Sequence, residues 1–124
     1  MGNEALFTAE LNFVVPPKNN RYFRRNNYVF IPQYITESIE DAVYILKSMY
    51  SYPPLDKPVL VEIIYTFKDN RKRDLDNLTK TLLDVLEDAG ILYDDKFVYK
   101  LIIEKQIKSE EKTEIRIFRY HGQD

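Results

Sequence analysis

From Leu75 to Ala89 the apolar residues Leu75, Leu78, Leu82, Val85, Leu86 and Ala89 recur at intervals of three and four, and Gly90 follows directly. That spacing is the period of an α-helix with one buried face, and a glycine just past the stripe suits the left-handed turn that ends one. A helix over about 75–89 is predicted. Whatever the chain folds into must offer this stripe an apolar surface.

Two segments have the two-residue period of strands that could supply it. Phe7, Ala9, Leu11, Phe13 and Val15 alternate with Thr8, Glu10 and Asn12 over residues 6–15. Val59, Val61, Ile63, Tyr65 and Phe67 share one face of a second strand, reached through a linker bracketed by Pro53-Pro54 and Pro58. Between them Ile39, Ala42, Val43, Leu46, Met49 and Tyr50 return at helical spacing, predicting a helix over Glu37–Tyr50 with Thr36 as N-cap. Pro16-Pro17 ends the first strand, and the polar, basic KNNRYFRRNNY stretch after it has no persistent period and reads as a loop. Phe97–Ile107 and Thr113–Tyr120 read as strands flanking the polar turn KSEEKT, a hairpin. The expected fold is α/β in the α+β sense, a small mixed sheet with two main helices in the order β-α-β-α-β-β.

At 124 residues with 44% apolar content, the expectation is one domain spanning 1–124 with one real core. No apolar run approaches a bilayer-crossing length and no secretory leader pattern opens the chain, so a cytoplasmic protein without membrane association is expected. The absence of cysteine removes thiolate nucleophiles, disulfides and cysteine-bound zinc, leaving oxygen and nitrogen chemistry. His121, beside Gly122 near the C-terminus, is assigned no role.

Net charge is −2, which by itself argues against an anionic partner, but the charges are segregated. Lys18, Arg21, Arg24 and Arg25 form one basic cluster and Lys68, Arg71, Lys72 and Arg73 another, while Asp84, Glu87, Asp88, Asp94 and Asp95 crowd a third stretch. Tyr22 and Phe23 interleave with the first cluster, a combination that can pair with phosphates and stack on unpaired bases, although a basic loop is more often simply solvated. RDLDN, Arg73 to Asn77, puts two carboxylates where a basic turn becomes a helix. Alone, Asp74 reads equally well as an N-cap and Asp76 as a first-turn acid, with Asp76, Lys80 and Asp84 as a solvated, ion-paired face. Asp94-Asp95 reads alone as a polar turn. Several carboxylates gathered together are costly unless a cation neutralises them, and all-oxygen ligands favour Mg²⁺ or Mn²⁺. Phosphoryl chemistry is the natural use of such a site.

PPKNNRYFRRN followed by RKRDLDNLTKTLLDVLEDAGILYDDKFV closely resembles the RusA family of Holliday junction resolvases, over roughly Phe13 to Lys105. Each piece is common. The ordered set of RDLDN, a lysine three residues after Asn77, and a DD pair after a helix ending in glycine is specific. The resemblance implies a homodimeric endonuclease that binds four-way DNA junctions and resolves them by paired nicks, using Mg²⁺ with Mn²⁺ as a substitute. It assigns the metal-binding catalytic carboxylates to Asp74, Asp76 and Asp95, a further catalytic role to Lys80, and the arginine before the first aspartate to Arg73; Asp94 ranks below Asp95. The DNA-binding expectation extends to Arg71 and Lys72 and to Lys18, Arg21, Arg24 and Arg25 in the other cluster. Two alternatives stay open: a nuclease for other branched DNA such as flaps and forks, and a non-catalytic DNA-binding module.

Overall fold

A computed structural model describes residues 4–17, 23–25 and 28–122. The main sheet is built from β1 (Ala5–Leu11), β4 (Val59–Phe67), β5 (Val98–Ile107) and β6 (Lys112–Arg119), with two helices, α1 (Gln33–Ser48) and α2 (Leu75–Asp88). Two three-residue strands, β2 (Phe23–Arg25) and β3 (Tyr28–Phe30), form a separate antiparallel ribbon. Apart from that ribbon, the order is the expected β-α-β-α-β-β.

Strand order across the main sheet is β1-β6-β4-β5, with β4 parallel to β5 and antiparallel to β6. The expected hairpin of the last two strands is therefore not formed: β4 lies between them. The reason lies in VLVEIIYTF, buried along almost its whole length, which calls for a partner on each side. The α2 crossover delivers β5 to one side in parallel, and the short connection after Ile107 passes over the end of β4, where the Lys108 amide donates to the Phe67 carbonyl at 2.9 Å. β6 then descends on the other side.

The sheet is one-sided. Val61, Ile63, Tyr65, Ile115 and Ile117 join Ala42 and Leu46 of α1 and Leu78, Leu82, Val85 and Leu86 of α2 in one core. Burying each of those α2 side chains contributes on the order of 1.5–3 kcal/mol, which is why an amphipathic helix holds here. The opposite face carries charge, with Arg116 paired to Glu62 at 3.3 Å. Within the core the Tyr65 and Thr79 hydroxyls are hydrogen-bonded at 2.9 Å, tying β4 to α2.

Three other expectations shift. β1 stops at Leu11, although Val15 beyond it is still buried. Part of the expected loop after Pro17 pairs as β2 and β3; the rest, Lys18 to Tyr22 with Asn26 and Asn27, lies outside the described residues. α1 begins at Gln33 with Pro32 at its N-cap, so Thr36 sits inside the helix. Proline has the right φ for a helix start, and the earlier turn brings Ile35 into full burial. α2 matches its expectation and ends at Gly90, whose φ is 77°. Gly90 and Ile91 amides donate to the Glu87 and Leu86 carbonyls, each at 3.0 Å, which closes the helix and turns the chain back toward its last turn.

Candidate active site

α2 carries acidic groups at both ends. At its start Asp74 is the N-cap: its carboxylate accepts from the Asn77 amide at 3.2 Å and from Asn77 Nδ2 at 2.9 Å. Asp76 lies in the first turn and Lys80 one turn on, both exposed on one face. Among the described residues no ion pair joins them, unlike the paired surface the spacing also allowed.

At the far end the reversal at Gly90 brings Asp94 and Asp95 back to Glu87. Asp94 caps a short 3-10 turn over Asp95–Phe97, accepting from the Lys96 amide at 2.8 Å. The Asp95 amide donates to Glu87 Oε2 at 2.8 Å. Glu87, Asp94 and Asp95 each place a carboxylate oxygen within 4.8 Å of the others'. Partial burial pushes the Glu87 carboxyl above its ordinary pKa, and the charges of Asp95, Asp94 and Asp84 push the same way, against the Asp95 amide bond, which lowers it. Glu87 was visible in the sequence only as one acid in a crowded stretch. Its signal is its place one turn before a helix-ending glycine, with the acidic pair just beyond.

Asp74 and Asp76 do not join that group. Asp76 and Glu87 stand eleven residues apart on α2, on the order of 16 Å along its axis at about 1.5 Å per residue. The three aspartates singled out from the sequence are thus split between opposite ends of one helix.

The basic turn of residues 68–73 lies at the Asp74 end. Arg73 is tucked in: its side chain is 16% exposed, its guanidinium lies 3.9 Å from the Phe67 ring centroid, and it donates to the Asp69 and Arg71 carbonyls and to Asp69 Oδ1 at 3.0–3.1 Å. The Arg71 amide bonded to Asp69 lowers the pKa of that carboxyl, with the Arg71 and Arg73 guanidinium groups adding to the effect. Arg71 and Lys72 are exposed. A cleft of about 280 Å³ brings Arg71, Lys72, Arg73 and Asp74 together with Pro16 and Pro17. Pro17, the last described residue before the Lys18 cluster, thus lines the same cleft as Asp74. Lys18 and Arg21 lie outside the described residues; Arg24 and Arg25 are placed on β2, opposite Val29 and Tyr28.

Fold and site define a class first: a one-sided α/β domain in which a basic cleft opens at the acidic N-terminus of a core helix, an arrangement suited to phosphate chemistry. The family model described as Endodeoxyribonuclease RusA matches residues 13–118. A protein named crossover junction endodeoxyribonuclease RusA, from Aquifex aeolicus (strain VF5), is 34% identical over 103 residues, 82% of each chain. Another of that name, from Escherichia coli (strain K12), is 38% identical over 89 residues, 71% of this chain and 74% of that protein. The chain belongs to the RusA endodeoxyribonuclease family.

Proposed function

We propose that this chain is a Mg²⁺-dependent, structure-specific endodeoxyribonuclease that resolves four-way DNA junctions by paired nicks in recombination and repair, acting as a cytoplasmic homodimer. The observation that carries this reading is the Asp74 cleft: within a chain of the RusA family, the first aspartate of RDLDN lines a cleft together with Arg71, Lys72 and Arg73. The same-named proteins from Aquifex aeolicus and Escherichia coli are crossover junction endonucleases, and the likeness covers most of each chain.

Asp74, Asp76 and Asp95 would hold the metal, and Asp94 and Glu87 would support Asp95. The donor set fits a hard cation, since every candidate ligand is a carboxylate oxygen and the Glu87, Asp94 and Asp95 oxygens already lie within 4.8 Å of each other. When bound, Mg²⁺ or Mn²⁺ supplies an activated water and neutralises charge on the scissile phosphate. The Lys80 ammonium, exposed one turn from Asp76, stabilises negative charge as the leaving oxygen departs. Arg71, Lys72 and the Lys18–Arg25 segment hold the flanking phosphates, and Arg73 shapes the turn that presents them.

Homodimerisation is supported by the split of the carboxylates. One chain holds Asp74 and Asp76 at one end of α2 and Asp95 at the other, so a second copy has to bring the partner's Asp95 to the first two. A two-fold dimer then has two equivalent sites, as paired nicks in a nearly two-fold junction require.

The test is cleavage of a synthetic four-way junction and a matched linear duplex, in Mg²⁺ or EDTA, by wild type and Asp76→Asn. Paired, metal-dependent nicks in the junction alone, lost in the variant while junction binding persists, are expected. Equal cutting of both DNAs would remove junction selectivity, and no cutting with any divalent metal would leave a binding module.

A further inference from the structure

The connection between α2 and β5 is pinned where it passes the linker before β4. Leu92 is buried, the Leu55 amide donates to the Ile91 carbonyl at 2.8 Å, and the Tyr93 amide donates to the Leu55 carbonyl at 3.0 Å. Tyr93 therefore has a fixed backbone, yet the residue itself is 65% exposed. The 3-10 turn over Asp95–Phe97 folds Phe97 back beside it, with the ring centroids 6.3 Å apart and the ring planes at 57°. The Lys96 ammonium lies 5.4 Å from the Phe97 centroid. An aromatic pair and a cation thus adjoin the carboxylates of Asp94 and Asp95.

We propose that Tyr93, backed by Phe97, stacks on a base freed from its own stack next to the scissile phosphate, and so selects branched DNA over linear duplex. This deepens the proposed function and rests on its reading of Asp95 as a metal ligand. Exposure alone is ordinary for a tyrosine. Here the exposed ring stands on a pinned backbone, beside a second ring and a lysine, which supplies a π-face for a base and positive charge for the phosphate chain. Tyrosine has only two side-chain torsions to fix, so it offers this contact area at little ordering cost.

Distance and substrate shape agree. Tyr93 and Asp95 are two residues apart, a span of at most about 7 Å between Cα atoms. A base is joined to its phosphate through a single sugar, so a ring this close to a phosphate-holding carboxylate is within one nucleotide's reach. In a linear duplex both faces of each base are covered by its neighbours, and no side chain stacks there without opening the helix. Where strands exchange, a base loses a neighbour as the arms open, and a free face costs little to present.

The test uses the Asp76→Asn background in Mg²⁺, in which junctions are held without being cut and Asp95 is intact. Adding Tyr93→Ala is expected to weaken binding of a four-way junction about tenfold, and to change binding of a matched linear duplex by less than about twofold. Tyr93→Phe, which keeps the ring, should bind the junction as its parent does. A 5-iodouracil at the strand-exchange point should photo-crosslink to Tyr93 in the junction and not in the duplex. Junction binding unchanged by Tyr93→Ala, equal weakening on both DNAs, or a crosslink that maps away from Tyr93 overturns the inference. Cutting by the chain with Asp76 intact is scored separately. If that chain cuts junctions while Tyr93→Ala binds them normally, this inference alone falls; if it neither holds nor cuts them, the nuclease reading falls as well.

Discussion

The backbone amide of Asp95 donates to Glu87 Oε2 at 2.8 Å, which anchors the acidic pair after Gly90 to the last turn of α2. Glu87 is therefore a positioning residue for Asp95. Glu87→Gln keeps an acceptor but removes a charge from the cluster, whereas Glu87→Ala removes both. If Asp95 binds metal, Glu87→Ala should raise the Mg²⁺ concentration for half-maximal cutting about 10–100-fold, with Glu87→Gln falling between it and wild type. A Mg²⁺ titration of junction cleavage checks this, and a change confined to the maximal rate would contradict it.

Arg71 and Arg73 are two residues apart and differ in kind. Arg73→Ala removes bonds to two carbonyls and a carboxylate as well as the contact with Phe67, and should destabilise the fold by about 1–2 kcal/mol in urea unfolding. Arg71→Ala should leave stability within about 0.5 kcal/mol and lower the salt slope of junction binding by roughly one. The reverse pattern would exchange their roles.

Burial pushes the Tyr65 hydroxyl up to about 12. A folded-state value above the unfolded one near 10 means the native state holds its proton longer, so this stability is complete below about pH 10 and lost as pH rises toward 12. Tyr65→Phe should cost about 1 kcal/mol at neutral pH, where Thr79 loses its partner. The variant should then lose less stability than wild type between pH 10 and 12. Parallel curves from urea melts across that range would show that Tyr65 does not titrate this way.

At Gly90 the φ of 77° is left-handed, and a Cβ there meets nothing within 4 Å. Gly90→Ala should therefore cost about 1–2 kcal/mol from backbone conformation alone. Equilibrium unfolding measures it, and an unchanged midpoint would mean the turn can rearrange.

The period of residues 75–89 determined α2, including its glycine stop, because a helix end is written in local sequence. The alternation over 59–67 likewise placed β4. Local sequence could not say that β5 and β6 flank β4 instead of each other: a short polar connection serves a hairpin and a pass over a neighbouring strand equally well, and only the pairing of both edges of β4 decides between them. The acidic positions were legible for the same local reason, as residues on a helix start and after a helix stop. Their division was not. Spacing along a chain says which residues share a helix face, whereas the distance from Asp76 to Asp95 depends on a reversal at Gly90 that ties Asp95 to the far end of α2. Only the tertiary structure could set that separation, because it comes from packing and backbone hydrogen bonds between segments and not from either segment's own pattern.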